Sequence, residues 1–143
     1  MQMIPEVSGA ECREAIHAAV ERARMLDILV SVAFVDGGGN LKAFYRMDGA
    51  EIAGPVLAID KAYTSVANRI ETQALAQECQ PGGALFGLQA NGGGRFVVFG
   101  GGVPVWVAGR VIGALGVSGG TAEEDAECAQ AGLAALQDSF RRE

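Results

Sequence analysis

The chain has 143 residues, half of them hydrophobic, and this composition fits one globular domain spanning residues 1–143 rather than a disordered chain. Its net charge is −6, with eleven Lys and Arg residues scattered among seventeen acids, so we expect no basic face for nucleic acid or a membrane surface. The first residues lack the apolar region of a signal peptide, and the three cysteines are widely spaced, so the sequence predicts a cytoplasmic protein without disulfides.

The first predicted helix begins at a capping box formed by Ser8 and Glu11 and ends near Met25. Four apolar residues at helical spacing predict its buried stripe: Cys12, Ile16, Val20 and Ala23. His17, the single histidine, lies on another face among arginine and glutamate side chains. Its position would allow ligation of a haem iron, but charged neighbours favour a solvated, structural role.

A β-hairpin and a second helix follow. The hairpin pairs Ile28 to Val35 with Leu41 to Arg46 around a glycine-rich turn. The second helix has Pro55 in its first turn. Its larger apolar residues predict a buried stripe of Val56, Ile59, Tyr63, Val66 and Ile70, and its polar face carries Lys61, Thr64, Ser65 and Asn68.

The second half of the chain predicts three strands and a final helix. After a short helix and an irregular glycine-rich segment, the strands are Arg95 to Phe99, Val103 to Ala108 and Val111 to Val117. Thr121 and Glu124 form a second capping box. The order α-β-β-α-α-β-β-β-α predicts an α+β fold with a five-stranded antiparallel sheet flanked by helices.

Glycine is the most unusual component of the sequence, with 21 residues against a background of about 7%. The run Gly100, Gly101 and Gly102 lies between two predicted strands, and Gly119 and Gly120 precede the last helix. Exposed amides at both places would suit a carboxylate or phosphate ligand. For Gly100 to Gly102, tight hairpin turns and close packing, including subunit packing, are the alternative explanation.

Charged residues near these glycines suggest a site. Arg46 could clamp a carboxylate through two parallel hydrogen bonds, and Lys61, surrounded by small residues, could have a lowered pKa and move a proton. Asp125, in the first turn of the last helix, is a second proton carrier, while Thr64 and Trp106 could line the pocket. The alternative is that Arg46 or Lys61 forms a salt bridge to Asp36, Asp48 or Asp125.

The ordered segment GGGVPVWVAGRVIGALGVSGG, followed by Glu124 and Asp125, resembles the GlcG/HbpS family, which is similar to the PduO C-terminal domain. Weaker matches are Arg46-Met47-Asp48-Gly49 and Lys61-Ala62-Tyr63-Thr64. The resemblance implies a five-stranded sheet flanked by helices and dimers stacked into a larger homo-oligomer. It also implies haem as a ligand of some members, with others lying in catabolic operons.

Three functions follow from these observations. The first is an oligomeric binding protein for haem or a small anionic catabolic metabolite. The second is a metal-independent enzyme of isomerase, tautomerase or hydrolase type, in which Arg46 binds a carboxylate and Lys61 or Asp125 moves the proton. The third is an accessory subunit whose glycines serve assembly. The residues by themselves require no cofactor.

Overall fold

The computed structural model describes residues 1–142, which contain four α-helices and four β-strands. The helices are α1 (Gly9–Met25), α2 (Gly54–Asn68), α3 (Thr72–Glu78) and α4 (Ala122–Arg141). The strands are β1 (Ser31–Asp36), β2 (Leu41–Arg46), β3 (Gly102–Val107) and β4 (Arg110–Ser118). Two short 3₁₀ turns, Leu88–Ala90 and Gly92–Gly94, lie in the glycine-rich segment.

The strands form one antiparallel sheet in the order β2-β1-β4-β3. Helices α1 and α4 cover one face, where Phe34 and Leu115 join the main apolar core. Helix α2 covers the other face, where Val35 and Ala114 pack against Ala62. The predicted α+β class with flanking helices is therefore confirmed, but the predicted fifth strand is wrong: the described sheet has four strands.

The segment predicted as that fifth strand, Arg95 to Phe99, pairs with α2 instead of with the sheet. The backbone N–H of Val97 donates to Thr64 Oγ1 at 2.9 Å, and Arg95 Nε donates to Asp60 Oδ1 at 3.0 Å. Thr64 Oγ1 also donates to the carbonyl oxygen of Arg95 at 3.4 Å, so a helix side chain binds backbone groups that a neighbouring strand would otherwise pair. Its apolar residues reflect packing on α2 rather than a place in the sheet.

The ends of the two long helices agree with the sequence. Ser8 Oγ accepts from the N–H of Glu11 and Thr121 Oγ1 accepts from the N–H of Glu124, each at 3.1 Å, and both reciprocal bonds of each capping box are present. Such a cap stabilises a helix by about 1 kcal/mol. The predicted apolar stripe of α1 is buried throughout. No helix within residues 1–142 is long and apolar enough to cross a membrane.

Helix α2 packs on the sheet mainly through the face predicted to be polar, and Val66 is the residue of the predicted stripe that packs against the sheet cluster. Val56, expected to be buried, is 64% exposed, whereas Lys61, Thr64 and Ser65 of the polar face are fully buried. The large apolar residues of this helix therefore do not form its main contact with the sheet.

A row of small residues across three strands explains this orientation. Ala33, Gly116 and Gly102 are register partners on β1, β4 and β3. A Cβ atom on Gly116 would lie 2.0 Å from the carbonyl oxygen of Ala58, and one on Gly102 would lie 2.4 Å from that of Lys61. The backbone of α2 thus lies directly on the strands, and only small or extended side chains fit beneath it.

Candidate functional site

The buried ion pair of Lys61 and Asp125 joins α2 to the first turn of α4. Lys61 Nζ donates to Asp125 Oδ2 and to the carbonyl oxygen of Val117, each at 2.9 Å. The two side chains are only 1% and 3% exposed. The salt bridge between these residues, which the sequence left as one alternative, is therefore present.

Burial disfavours the charged form of Lys61, and neighbouring groups stabilise that form. Burial lowers the pKa of Lys61 from its ordinary value, while the carboxylate of Asp125 raises it in opposition. The ring of Phe99 lies 5.1 Å from Nζ, a distance at which its π face attracts the ammonium group. A Cβ on Gly101 would approach Nζ to 2.8 Å, so this position has no room for a side chain.

The glycines near this pair serve close packing in the structure. The N–H of Gly102 donates to Thr72 Oγ1 at 2.9 Å, and the N–H of Gly120 donates to Asp125 Oδ1 at 2.8 Å. A Cβ on Gly100 would lie 2.7 Å from the carbonyl oxygen of Ala122, and one on Gly119 would lie 2.1 Å from that of Leu29. Two of the amides expected to face an anion thus already have protein acceptors.

Three other predicted site residues take no part in the hydrogen bonds of the buried pair. Arg46 is exposed at the end of edge strand β2 and forms no salt bridge within the described chain. Thr64 Oγ1 donates to the carbonyl oxygen of Asp60 at 2.6 Å, besides accepting from Val97. Trp106 is half exposed on edge strand β3 beside Pro104. Arg46 and Trp106 lie on the two opposite edge strands of the sheet, so the structure does not bring them together.

An open groove between α1 and β2 contains His17. Its volume is about 430 Å³, within the usual range for small-molecule sites. Its lining combines apolar, aromatic and basic side chains: Arg13, Ile16, His17, Val20, Arg24, Ala43, Phe44 and Tyr45. The imidazole is exposed, and the buried side chains of Ile16 and Val20 form the apolar part of the wall beside it.

Sequence reasoning placed His17 among charged neighbours but missed the strand opposite. Tyr45 is the register partner of Val32, which belongs to the core on the α1 face, so Tyr45 extends from the sheet on the same side as His17. The available signal was a pair of adjacent aromatic residues, Phe44 and Tyr45, near the end of a short strand. That signal becomes informative only once β2 is known to be an edge strand beside α1.

Other metal or thiol chemistry has little support in residues 1–142. No group of three or more His, Cys, Asp or Glu side chains comes together there to hold a metal ion. Burial raises the pKa of Cys12 to about 11 and that of Cys128 to about 12, and it raises the pKa of Cys79 as well. The thiolate forms needed for nucleophilic attack or metal binding are therefore disfavoured. Haem differs, because it carries its own iron and needs only one protein ligand.

Comparisons with known proteins agree with this fold. The family model described as "Haem degrading protein HbpS-like" matches residues 7–134. The corrinoid adenosyltransferase PduO of Salmonella typhimurium is 41% identical over 130 residues, which cover 91% of this chain and 39% of that protein. The chain thus spans about two-fifths of the length of PduO.

Two solved structures are similar over nearly the full chain. The Klebsiella pneumoniae protein ORFY is 34% identical, with a TM-score of 0.92 and coverage of 96% of this chain and 94% of that one. A PduOC:haem complex is 40% identical, with a TM-score of 0.87 and coverage of 92% and 95%. These matches confirm the resemblance expected from the glycine-rich segment, and the chain belongs to the HbpS-like family.

Proposed function

We propose that this chain is a small-ligand-binding protein whose ligand is haem, held in the groove between α1 and β2 with His17 as the axial ligand. The observation that carries the proposal is the exposure of the chain's single histidine in a groove with apolar walls. The similarity to a PduOC:haem complex supports the choice of haem among planar ligands.

The walls of the groove suit an apolar ring. Ile16 and Val20 are nearly buried and flank the imidazole on α1, while Ala43 and Tyr45 approach from β2. Burying the apolar part of a ligand against such residues contributes roughly 25 cal/mol for each Å² removed from water. An exposed imidazole beside this surface provides the directional bond that apolar contacts lack.

The charges at the groove suit the carboxylates of haem. Arg13 lies one turn before His17 and Arg24 two turns after it, about 6 Å and 10 Å along the helix axis. Arg13 forms no salt bridge in the described part of the chain, whereas Arg24 pairs with Glu21. Arg13 is therefore the better partner for a propionate. Bound haem would supply a redox-active iron that these side chains hold and orient.

Titration of the purified protein with hemin tests the proposal. We expect a saturable Soret shift at micromolar protein and its loss, or a change of ligand signature, in His17→Ala. Glu14→Ala is the matched control, because it removes another exposed α1 side chain outside the groove. Tyr45→Phe tests whether the phenol rather than the imidazole binds the iron.

The outcomes separate the ligands clearly. Saturation by wild type, Glu14→Ala and Tyr45→Phe but not by His17→Ala supports the proposal. An unchanged spectrum in His17→Ala with a changed one in Tyr45→Phe transfers the axial role to Tyr45. No saturable shift in the wild type removes haem, and the groove would then belong to a different small ligand such as an anionic catabolic metabolite.

The enzyme hypothesis receives less support from the geometry. Lys61 and Asp125 neutralise each other inside the protein, and Arg46 is not part of their cluster. A proton carrier needs access to its substrate, which a side chain 1% exposed lacks in this conformation. Full turnover of a carboxylated substrate by wild type, with loss in Arg46→Ala, would restore the hypothesis.

We also propose that the protein forms a homo-oligomer in the cytoplasm. The outward face of α2 and the turn before it expose Val56 by 64% and Ile52 by 90%, and such apolar surface is typical of interfaces. All three cysteines are free, as expected in a reducing compartment. Light scattering after size exclusion should give a mass above one chain, and Val56→Glu should lower it. A monomeric wild type would contradict this assembly.

A further inference from the structure

A second groove lies at the end of the sheet where two hairpin turns meet the C-terminal end of α2. Its volume is about 450 Å³. The lining residues are Gly37, Val66, Arg69, Ala108, Gly109, Arg110 and Val111. Arg110 begins β4, whereas Lys61 binds Val117 near the other end of that strand, so this groove is distinct from the buried pair. It also shares no residue with the His17 groove.

The lining of this groove is basic and contains no acid. Arg69 forms no salt bridge within residues 1–142, and Arg110 donates only to the neutral side chain of Gln2, at 2.9 Å. Asp36 lines the adjoining groove, but its Oδ1 accepts from the N–H groups of Gly38 and Asn40. Two guanidinium groups without a salt-bridge partner thus share one concave surface, and the nearest acids, Glu6, Asp36 and Glu71, line the adjoining grooves rather than this one.

The backbone of the groove is held in a costly conformation. Only three non-glycine residues in the described chain have positive φ, namely Asp27, Arg69 and Ala108, and two of them line this groove. Each costs about 1–2 kcal/mol relative to the ordinary helical region. The backbone N–H of Arg69 caps α2 by donating to the carbonyl oxygen of Ser65, which places the arginine at the groove. Arg69 adopts this conformation as the left-handed cap of α2, and Ala108 adopts it in the turn between β3 and β4, so both backbones are fixed at the groove.

We propose that this groove binds a small oxyanion with two or more charged oxygens, such as a phosphate ester or a dicarboxylate, between Arg69 and Arg110. A guanidinium group presents five donors in a planar fork that matches carboxylate and phosphate oxygens. Two such groups supply both positive charges that a dianion needs, without an acid in the lining to compete. The site is independent of haem binding at His17.

Titration with inorganic phosphate and with succinate tests the site, with sodium chloride adjusted to hold the ionic strength constant. We expect saturable binding of at least one probe by calorimetry. Arg69→Gln and Arg110→Gln should each weaken it by about tenfold or more, because each removes a charge-assisted contact. Arg141→Gln, an exposed arginine paired with Asp138 on α4, is the matched control and should leave binding unchanged.

Each outcome decides the proposal. Phosphate binding alone assigns a phosphate-type ligand, and succinate binding alone assigns a dicarboxylate. Failure of both probes to saturate, or equal weakening by Arg141→Gln, overturns the site. Arg69→Gly removes the charge at a position whose positive φ suits glycine, so loss of binding in that folded variant excludes misfolding as the cause. Hemin binding should persist in every one of these variants.

Discussion

The buried pair of Lys61 and Asp125 is the interaction whose disruption we expect to destabilise this protein most. Lys61→Met removes the ammonium group and leaves Asp125 Oδ2 without its partner at a side chain that is 3% exposed. It also removes the donor to the carbonyl oxygen of Val117. Breaking a buried pair by removing one partner costs about 3–5 kcal/mol. That loss is a large share of the roughly 5–15 kcal/mol by which domains are stable.

A second substitution should restore part of this stability. In Lys61→Met/Asp125→Asn no unpaired carboxylate remains, and the amide oxygen can still accept from the N–H of Gly120, as Asp125 Oδ1 does at 2.8 Å. We expect the double variant to recover about 2 kcal/mol relative to Lys61→Met, because the cost of the single change arises mainly from the uncompensated charge.

Urea unfolding followed by circular dichroism measures these differences, provided that the slope of the unfolding free energy with urea stays constant among variants. Arg141→Gln is the control, since the exposed pair it breaks should contribute less than about 1 kcal/mol. The reasoning is refuted if Lys61→Met unfolds within about 0.5 kcal/mol of the wild type. It is also refuted if the loss of unfolding free energy in the double variant equals the sum of the losses in Lys61→Met and in Asp125→Asn.

Two further predictions follow from the same packing. Gly116→Ala should lower the free energy of unfolding by about 1–3 kcal/mol or more, since its Cβ would lie 2.0 Å from the carbonyl oxygen of Ala58. Gly9→Ala is the control in the same urea assay. Its Cβ would have its nearest contact at 3.5 Å, so we expect it to be nearly neutral. Burial lowers the pKa of Lys61 in the folded protein below the ordinary value of 10.5 that it has in the unfolded chain. At a pH between the folded and the unfolded pKa, the unfolded chain therefore binds more protons than the folded protein. The stability of the wild type relative to Lys61→Met/Asp125→Asn should therefore rise with pH in that window, and a flat or falling difference in urea titrations would contradict the effect.

Local chemistry predicted the helix boundaries and the first hairpin. The capping boxes at Ser8 and Thr121 depend on residues three positions apart, so the sequence contains all the partners they need. The apolar residues of Arg95 to Phe99 match strand composition, so the sequence predicts a strand where the structure has none. The actual partners of this segment, Asp60 and Thr64, lie on a helix 35 and 33 residues earlier than the groups they bind.

The candidate sites were predicted only in part. The sequence singled out His17, Lys61 and Asp125, and it included the salt bridge between the last two as an alternative. It did not show that Tyr45 would lie beside His17, or that Arg69 and Arg110 would share a groove. The proximity of these residues depends on which strands form the sheet edges and on how the hairpin turns approach the end of α2.

The sequence by itself determined the class of fold, the two capped helices and the family, because these depend on local spacing and on the ordered glycine-rich segment. Only the tertiary structure decided which face of α2 is buried. Amphipathicity favoured the large apolar residues, but Gly102 and Gly116 let the helix backbone approach the sheet so closely that small side chains and the paired Lys61 occupy the contact. These glycines are needed because backbone atoms from distant parts of the chain occupy the space that a Cβ would take.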